Sequence, residues 1–165
     1  MSVKLKCLVV DDEPMALDKV VNYIGKIPYM ELAATCSSAV EAMQVLADTN
    51  VDVMFIDINM PDISGLDFVK SLVDPPLVVF VTAYAEYAVD SYKVRAVDYL
   101  LKPYDFSDFQ TVAGNVLKHW NYIHPANPSS AGSPAPSETD ILYLKVDYRY
   151  VRVPLRDIIY IEGMN

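Results

Sequence analysis

The sequence predicts an α/β fold, a doubly wound parallel sheet of five strands with helices on both faces. Three observations carry that prediction. Five short aliphatic runs alternate with five segments of near-helical periodicity, which is the pattern of a parallel sheet wound by crossover helices. The aliphatic runs lack the in–out alternation of a half-exposed strand, so they read as strands buried on both faces. The 165 residues suit one domain of about 100–150 residues plus a remainder.

In chain order, Leu5–Val10 is the first strand, rich in aliphatic side chains and followed at once by acids. Met15–Ile27 carries apolar residues near helical spacing. Glu31–Cys36 is the second strand and Ala39–Ala47 the helix after it. Val51–Ile56 is the third strand, followed by a helix over Leu66–Leu72. Leu77–Val81 is the fourth strand, followed by a helix over roughly 86–94. Val97–Leu101 closes the sheet, and a long helix over Phe106–Ile123 follows it, with Ser107 or Asp105 as its cap. Gly65 is expected in a tight turn over Met60–Gly65, where a positive φ is easy; beginning the next helix is its other reading.

Beyond Ile123 the composition shifts. His124–Glu138 holds four prolines, four serines and one glycine, a linker that buries nothing. Ile141–Val146 and Arg149–Val153 then alternate apolar and polar residues around Asp147-Tyr148, as a hairpin does, and Ile158–Ile161 reads as a third strand. Three strands in so few residues are too little for an ordinary core. The domain expectation is therefore 1–123, a linker over 124–140, and the first part of a second domain over 141–165.

Composition excludes several classes. The net charge is −9, and residues 1–122 hold 17 acidic against 9 basic residues, which argues against a nucleic-acid clamp in that block. No apolar run approaches the roughly 18 residues of a membrane helix, and the start, Met1–Cys7, lacks the pattern of a secretory signal, so the cytoplasm is the expected compartment. Cys7 and Cys36 lie among strand formers and read as buried thiols. The five glycines, Gly25, Gly65, Gly114, Gly132 and Gly163, form neither a dinucleotide-binding fingerprint nor a P-loop. His119 and His124 lack the spacing of a metal site.

The chemistry lies in the polar residues at the strand ends. Asp11-Asp12-Glu13 follows the first strand, Asp57 the third, Thr82 closes the fourth, and Lys102-Pro103 closes the fifth. In a parallel sheet these ends share one edge, where ligands bind. Acids after strands also serve as turn formers or caps, but four strand ends of this kind at one edge describe a site. Clustered carboxylates ionise together only with a cation among them, and an oxygen-only donor set suits Mg²⁺. A lone carboxylate at Asp57, with Lys and Thr beside it, has the parts of phosphoryl transfer through an aspartyl-phosphate. Asp57 is the natural nucleophile and the pair Asp11-Asp12 the natural metal holder.

These pieces resemble the receiver domain of two-component response regulators over residues 4–122. The matching stretches are Val9-Val10-Asp11-Asp12-Glu13, Asp57 through Gly65, Thr82-Ala83 and Asp98-Tyr99-Leu100-Leu101-Lys102-Pro103. The resemblance implies a flavodoxin-like (CheY-like) fold with strand order 2-1-3-4-5. It implies Asp57 as phosphoacceptor and Asp12 as direct Mg²⁺ ligand, with Asp11 assisting and the Asn59 backbone carbonyl completing the shell. It further implies Thr82 and Lys102 as the phosphoryl-contacting pair, Tyr99 as the aromatic switch and a cis bond at Lys102-Pro103. Tyr84 and Asn59 fall where the family tunes dephosphorylation.

Ala88–Tyr92, Ala96–Pro103 and the tail are similar to the LytTR class, whose second domain is mostly β and binds DNA. The expected function is thus a signalling switch, phosphorylated on Asp57 by a sensor histidine kinase and acting on transcription. Homodimerisation is expected through the face of the helix at 86–94, the fifth strand and the helix at Phe106–Ile123. A phosphohydrolase working through an aspartyl-phosphate uses the same inventory. In such enzymes, however, the nucleophile lies on the first strand and the acid pair comes last, whereas here the pair comes first, and no inserted cap is present to recognise a substrate.

Overall fold

A computed structural model of the chain describes residues 4–86 and 94–125, together with the backbone of 141–146 and 149–154. The chain divides into two compact units, Met1–Trp120 and Asn121–Asn165.

The first unit is a five-stranded parallel sheet in the order β2-β1-β3-β4-β5. Its strands are β1 (Leu5–Val10), β2 (Met30–Cys36), β3 (Val53–Asp57), β4 (Leu77–Thr82) and β5 (Asp98–Leu101). The described helices are α1 (Pro14–Ile24), α2 (Ala39–Asp48), α3 (Gly65–Ser71) and α4 (Phe106–Ile123). The expected helix over 86–94 lies almost entirely outside the described residues. The expected strand order holds, as does the extent of β1 and of the long helix α4.

Two apolar clusters sandwich the sheet. On one face, Val20 and Ile24 of α1 meet Phe109, Val112 and Val116 of α4 over Cys7, Val9, Phe55 and Val79. On the other, Ala39 and Ala42 of α2 meet Leu66, Phe68 and Val69 of α3 over Leu8, Val10, Met54, Ile56 and Phe80. Every residue of β3 is buried, which explains its unbroken apolar run: with helices on both faces, no position of the central strand meets water. Cys7 and Cys36 are buried free thiols as expected, and burial pushes them up to about 12 and about 11.

Local chemistry sets the helix ends. The helix α1 stops at Ile24, short of the expected Ile27, because Pro28 disfavours a helical conformation at the residue before it. The chain instead tightens, Lys26 N–H donating to the Tyr23 carbonyl and Ile27 N–H to that of Ile24. Ser38 caps α2 by accepting from Glu41 N–H at 3.2 Å, and Glu41 accepts in return from Ser37 N–H. Of the two expected caps for α4, Asp105 is the one used: it accepts from Asp108 N–H at 2.9 Å while Asp108 accepts from Asp105 N–H at 3.1 Å.

Gly65 corrects the turn expectation. No glycine among the described residues has a positive φ, and Gly65 opens α3 behind the Ser64 cap. Its lack of a side chain matters for packing, since a Cβ there would lie 2.3 Å from the backbone oxygen of Asp57 and 3.1 Å from the Ile58 Cα. Only glycine lets α3 start directly against the end of β3.

In the second unit, β6 (Ile141–Val146) and β7 (Arg149–Pro154) pair antiparallel, with Ile141 opposite Pro154 and Val146 opposite Arg149. This is the expected hairpin. The third strand expected at Ile158–Ile161 lies outside the described residues.

Candidate functional site

The strand order creates the site. From β1 the chain winds outward to β2, then returns across β1 to place β3 on its other side. The two crossovers diverge at the carboxyl ends of β1 and β3, and a crevice opens there. Asp11 follows β1 and Asp57 ends β3, so both carboxylates stand at that crevice. Asp11 is 3% exposed and Asp57 6% exposed, while Asp12 is exposed. One oxygen of each of the three lies within 4.8 Å of the others.

The other strands deliver the remaining groups. Thr82 ends β4, 1% exposed, and its hydroxyl oxygen accepts from Tyr84 N–H at 3.1 Å, leaving its own hydrogen for another acceptor. The Lys102 N–H donates to the Thr82 carbonyl at 2.7 Å, which extends the β4–β5 ladder to the lysine. The Lys102 ammonium then reaches back, 3.2 Å from Asp11 Oδ2 and 3.7 Å from Asp57 Oδ2. The Lys102-Pro103 bond is cis, as expected. Asp11 also accepts from Glu13 N–H at 2.9 Å and Asp57 from Asn59 N–H at 3.3 Å.

Asp57, Asp11, Asp12, Thr82 and Lys102 therefore meet at one edge, with Asn59 on the loop leaving β3. Tyr99 sits apart, half-buried on β5 opposite Phe80 and packed against the cluster beneath α2 and α3.

The charges are out of balance, three carboxylates against one ammonium. Burial raises the Asp57 carboxyl; Lys102 opposes that, Asp11 adds to it, and the result is about 6 against an ordinary 3.8. Burial alone would lower the Lys102 ammonium, but the Asp57 and Asp11 carboxylates outweigh it and its pKa rises. A divalent cation is the species that would offset the excess negative charge, and a donor set of oxygens only fits a hard ion such as Mg²⁺.

One supporting residue was not legible in the chain. Asp62 accepts from Ala39 N–H at 3.0 Å and Val40 N–H at 3.3 Å, tying the loop after β3 to the start of α2. Burial raises its carboxyl, but the backbone N–H groups of Ile63, Val40, Asp62 and Ala39 outweigh that and hold it below the usual range. No local signal marks a cap 23 residues away.

Comparison with known proteins agrees with this geometry. Residues 7–113 match the model of the response regulator receiver domain. The chain is 30% identical over 163 residues to Protein MrkE of Klebsiella pneumoniae, covering 97% of the chain and 60% of that protein. It is 43% identical over 104 residues to the transcriptional regulatory protein BtsR of Escherichia coli K12 (61% of the chain, 43% of that protein). It is 34% identical over 128 residues to the sensory transduction protein LytT of Enterococcus faecalis (76% and 53%). The chain thus spans roughly half the length of these relatives. Among solved structures, the response regulatory domain of MrkE superposes with a TM-score of 0.66 at 28% identity, over 71% of this chain and 98% of that one. Among the described residues no helix is long and apolar enough to cross a membrane.

Proposed function

The chain belongs to the response regulator receiver domain family, and from that premise we propose that it is a phosphorylation-driven switch with Asp57 as its phosphoacceptor. The observation that carries the reading is a buried carboxylate at the end of the central strand, with an ammonium 3.7 Å away and two further carboxylates around it. An Asp57 oxygen attacks the phosphorus of a phosphohistidine on a sensor kinase, or of a small acyl phosphate. The new O–P bond forms as the bond to the donor's nitrogen or oxygen breaks, and the donor leaves with that electron pair. Lys102 pairs with the incoming phosphoryl oxygens and the Thr82 hydroxyl donates to one of them. Asp11, Asp12, Asp57 and the Asn59 carbonyl would hold Mg²⁺, which would supply positive charge to the carboxylates and the phosphoryl oxygens.

Phosphorylation adds charge and acceptor oxygens at Asp57, which Thr82 and Lys102 satisfy by moving toward it. Tyr99 turns into the space beside β5, and the face of 86–94, β5 and α4 changes, favouring one of two existing states. Homodimerisation through that face and DNA binding through a LytTR-type domain beginning at 141, joined by a linker over 124–140, complete the proposal. The relatives named for transcriptional regulation and for LytT support the output. The compartment is the cytoplasm, where such kinases present their phosphohistidine.

The test is intact mass after exposure to acetyl phosphate. With Mg²⁺ the chain should gain one phosphoryl group, and EDTA should prevent the gain. A switch turns over only its own phosphate, so steady hydrolysis of small phosphomonoesters at enzyme-like rates would instead establish the phosphohydrolase reading.

A further inference from the structure

Lys102 stands at a weak place in the fold. The strand before it, β5, lies at the edge of the five-stranded sheet and, among the described residues, pairs only with β4. The ladder fixes the Lys102 backbone from one side through the Thr82 carbonyl. A side chain that must hold two carboxylates at 3.2 and 3.7 Å needs its backbone fixed from a second side as well.

That second support comes from α1, on the opposite side of the sheet from α2 and α3. The Lys19 ammonium donates to the Tyr104 carbonyl at 2.6 Å and lies 4.2 Å from the centre of the Tyr104 ring. A charged donor makes this bond stronger than a neutral one, and the ring face adds a cation–π attraction. Lys19 is half-buried, and Tyr104 is 6% exposed. One turn on, Tyr23 stands at i+4 on the same helix face. It meets Tyr104 edge-on at 6.0 Å, Phe106 at 5.3 Å and Phe109 at 5.5 Å. Two side chains of α1 thereby grip the segment that leaves Lys102 and enters α4.

We propose that Lys19 is a positioning residue for Lys102, holding the backbone two residues beyond it so that the Lys102 ammonium faces Asp11 and Asp57. This deepens the phosphoacceptor reading and rests on it. Lys19 touches no reacting atom. Its effect on phosphoryl transfer passes wholly through Lys102, which separates it from a residue that merely stabilises the fold.

The experiment is a double-mutant cycle on the full chain, read as the rate of mass gain from acetyl phosphate at saturating Mg²⁺. Lys19→Met keeps the apolar stem and removes the donor; Lys19→Arg keeps a charged donor. Lys19→Met should slow uptake about tenfold, a typical penalty for a slightly misplaced catalytic group, and Lys19→Arg should restore most of it. In a Lys102→Ala background, Lys19→Met should change nothing further. An equal slowing in both backgrounds, or no slowing in either, overturns the proposal. A second readout needs no phosphorylation: in chains carrying ¹³Cε-lysine, the Lys102 resonance should shift in Lys19→Met and stay near its native position in Lys19→Arg. Should the native chain take up no phosphoryl group, the functional reading fails, and this spectrum alone decides. A Lys102 resonance unmoved by Lys19→Met then refutes the positioning role.

Discussion

Lys102→Ala is expected to lower the rate of phosphoryl uptake from acetyl phosphate by about 10²–10³, the usual cost of removing one preorganised charge from a developing oxyanion. The Lys102 side chain is only 22% exposed and its ammonium already lies against Asp11 and Asp57, so only a short movement is needed to meet an arriving phosphoryl group. Loss of the cation site does not account for such a fall. The ammonium competes with a metal ion for the same two carboxylates, so its removal should leave Mg²⁺ affinity equal or higher. The measurement is the uptake rate against Mg²⁺ concentration for both chains. A large drop in the plateau with an unshifted or tighter midpoint is the expected pattern. A plateau within a few-fold of native would remove Lys102 from the chemistry.

Asp57→Asn is expected to make the metal-free chain more stable at neutral pH, by about 3 kcal/mol. The folded protein holds the Asp57 carboxyl near 6, against 3.8 for an ordinary aspartate. Below about pH 4 the group is protonated in both folded and unfolded chains and contributes nothing. Between those values the folded chain binds the extra proton, so native stability declines as pH rises. Above pH 6 the whole cost is present, because folding must then desolvate a carboxylate beside Asp11. Asparagine never ionises and escapes that cost. Urea unfolding in EDTA should show the difference at pH 7.5 and its disappearance near pH 4. Added Mg²⁺ should narrow the gap at pH 7.5 by stabilising the native chain more than the variant. A difference of the same size at both pH values would assign the effect to packing instead of charge.

The two variants probe what the strand ends share, and those ends are where the sequence is most informative. Apolar runs such as Val53–Ile56 report burial on both faces directly, and a polar residue at the end of such a run marks the edge of the sheet. Asp11, Asp57, Thr82 and Lys102 could therefore be placed together before any distance was known. What stays hidden depends on contacts between distant parts of the chain. Gly65 looks like a turn glycine until the end of β3 is seen pressed against the start of α3. Asp62 looks like a loop acid until α2 arrives above it. Lys19 looks like a solvent-facing helix lysine, and only the packing of α1 beside the segment after β5 brings it to the Tyr104 carbonyl. Helix ends fall between these cases: Pro28 was available to shorten α1, but the helical spacing of apolar residues continued past the point where that proline acts.

The central claim is that Asp57, and no other acid of the cluster, carries the phosphoryl group. An acyl phosphate is reduced by borohydride to the alcohol, which converts a phosphorylated aspartate to homoserine and leaves free carboxylates untouched. The chain would be treated with acetyl phosphate and Mg²⁺, reduced, digested and sequenced by mass spectrometry. Homoserine at position 57, with Asp11, Asp12 and Asp62 unmodified and no homoserine anywhere in Asp57→Asn, is the predicted result. Homoserine at Asp11 or Asp12 in the native chain, or its persistence in Asp57→Asn at the native rate, would contradict the account.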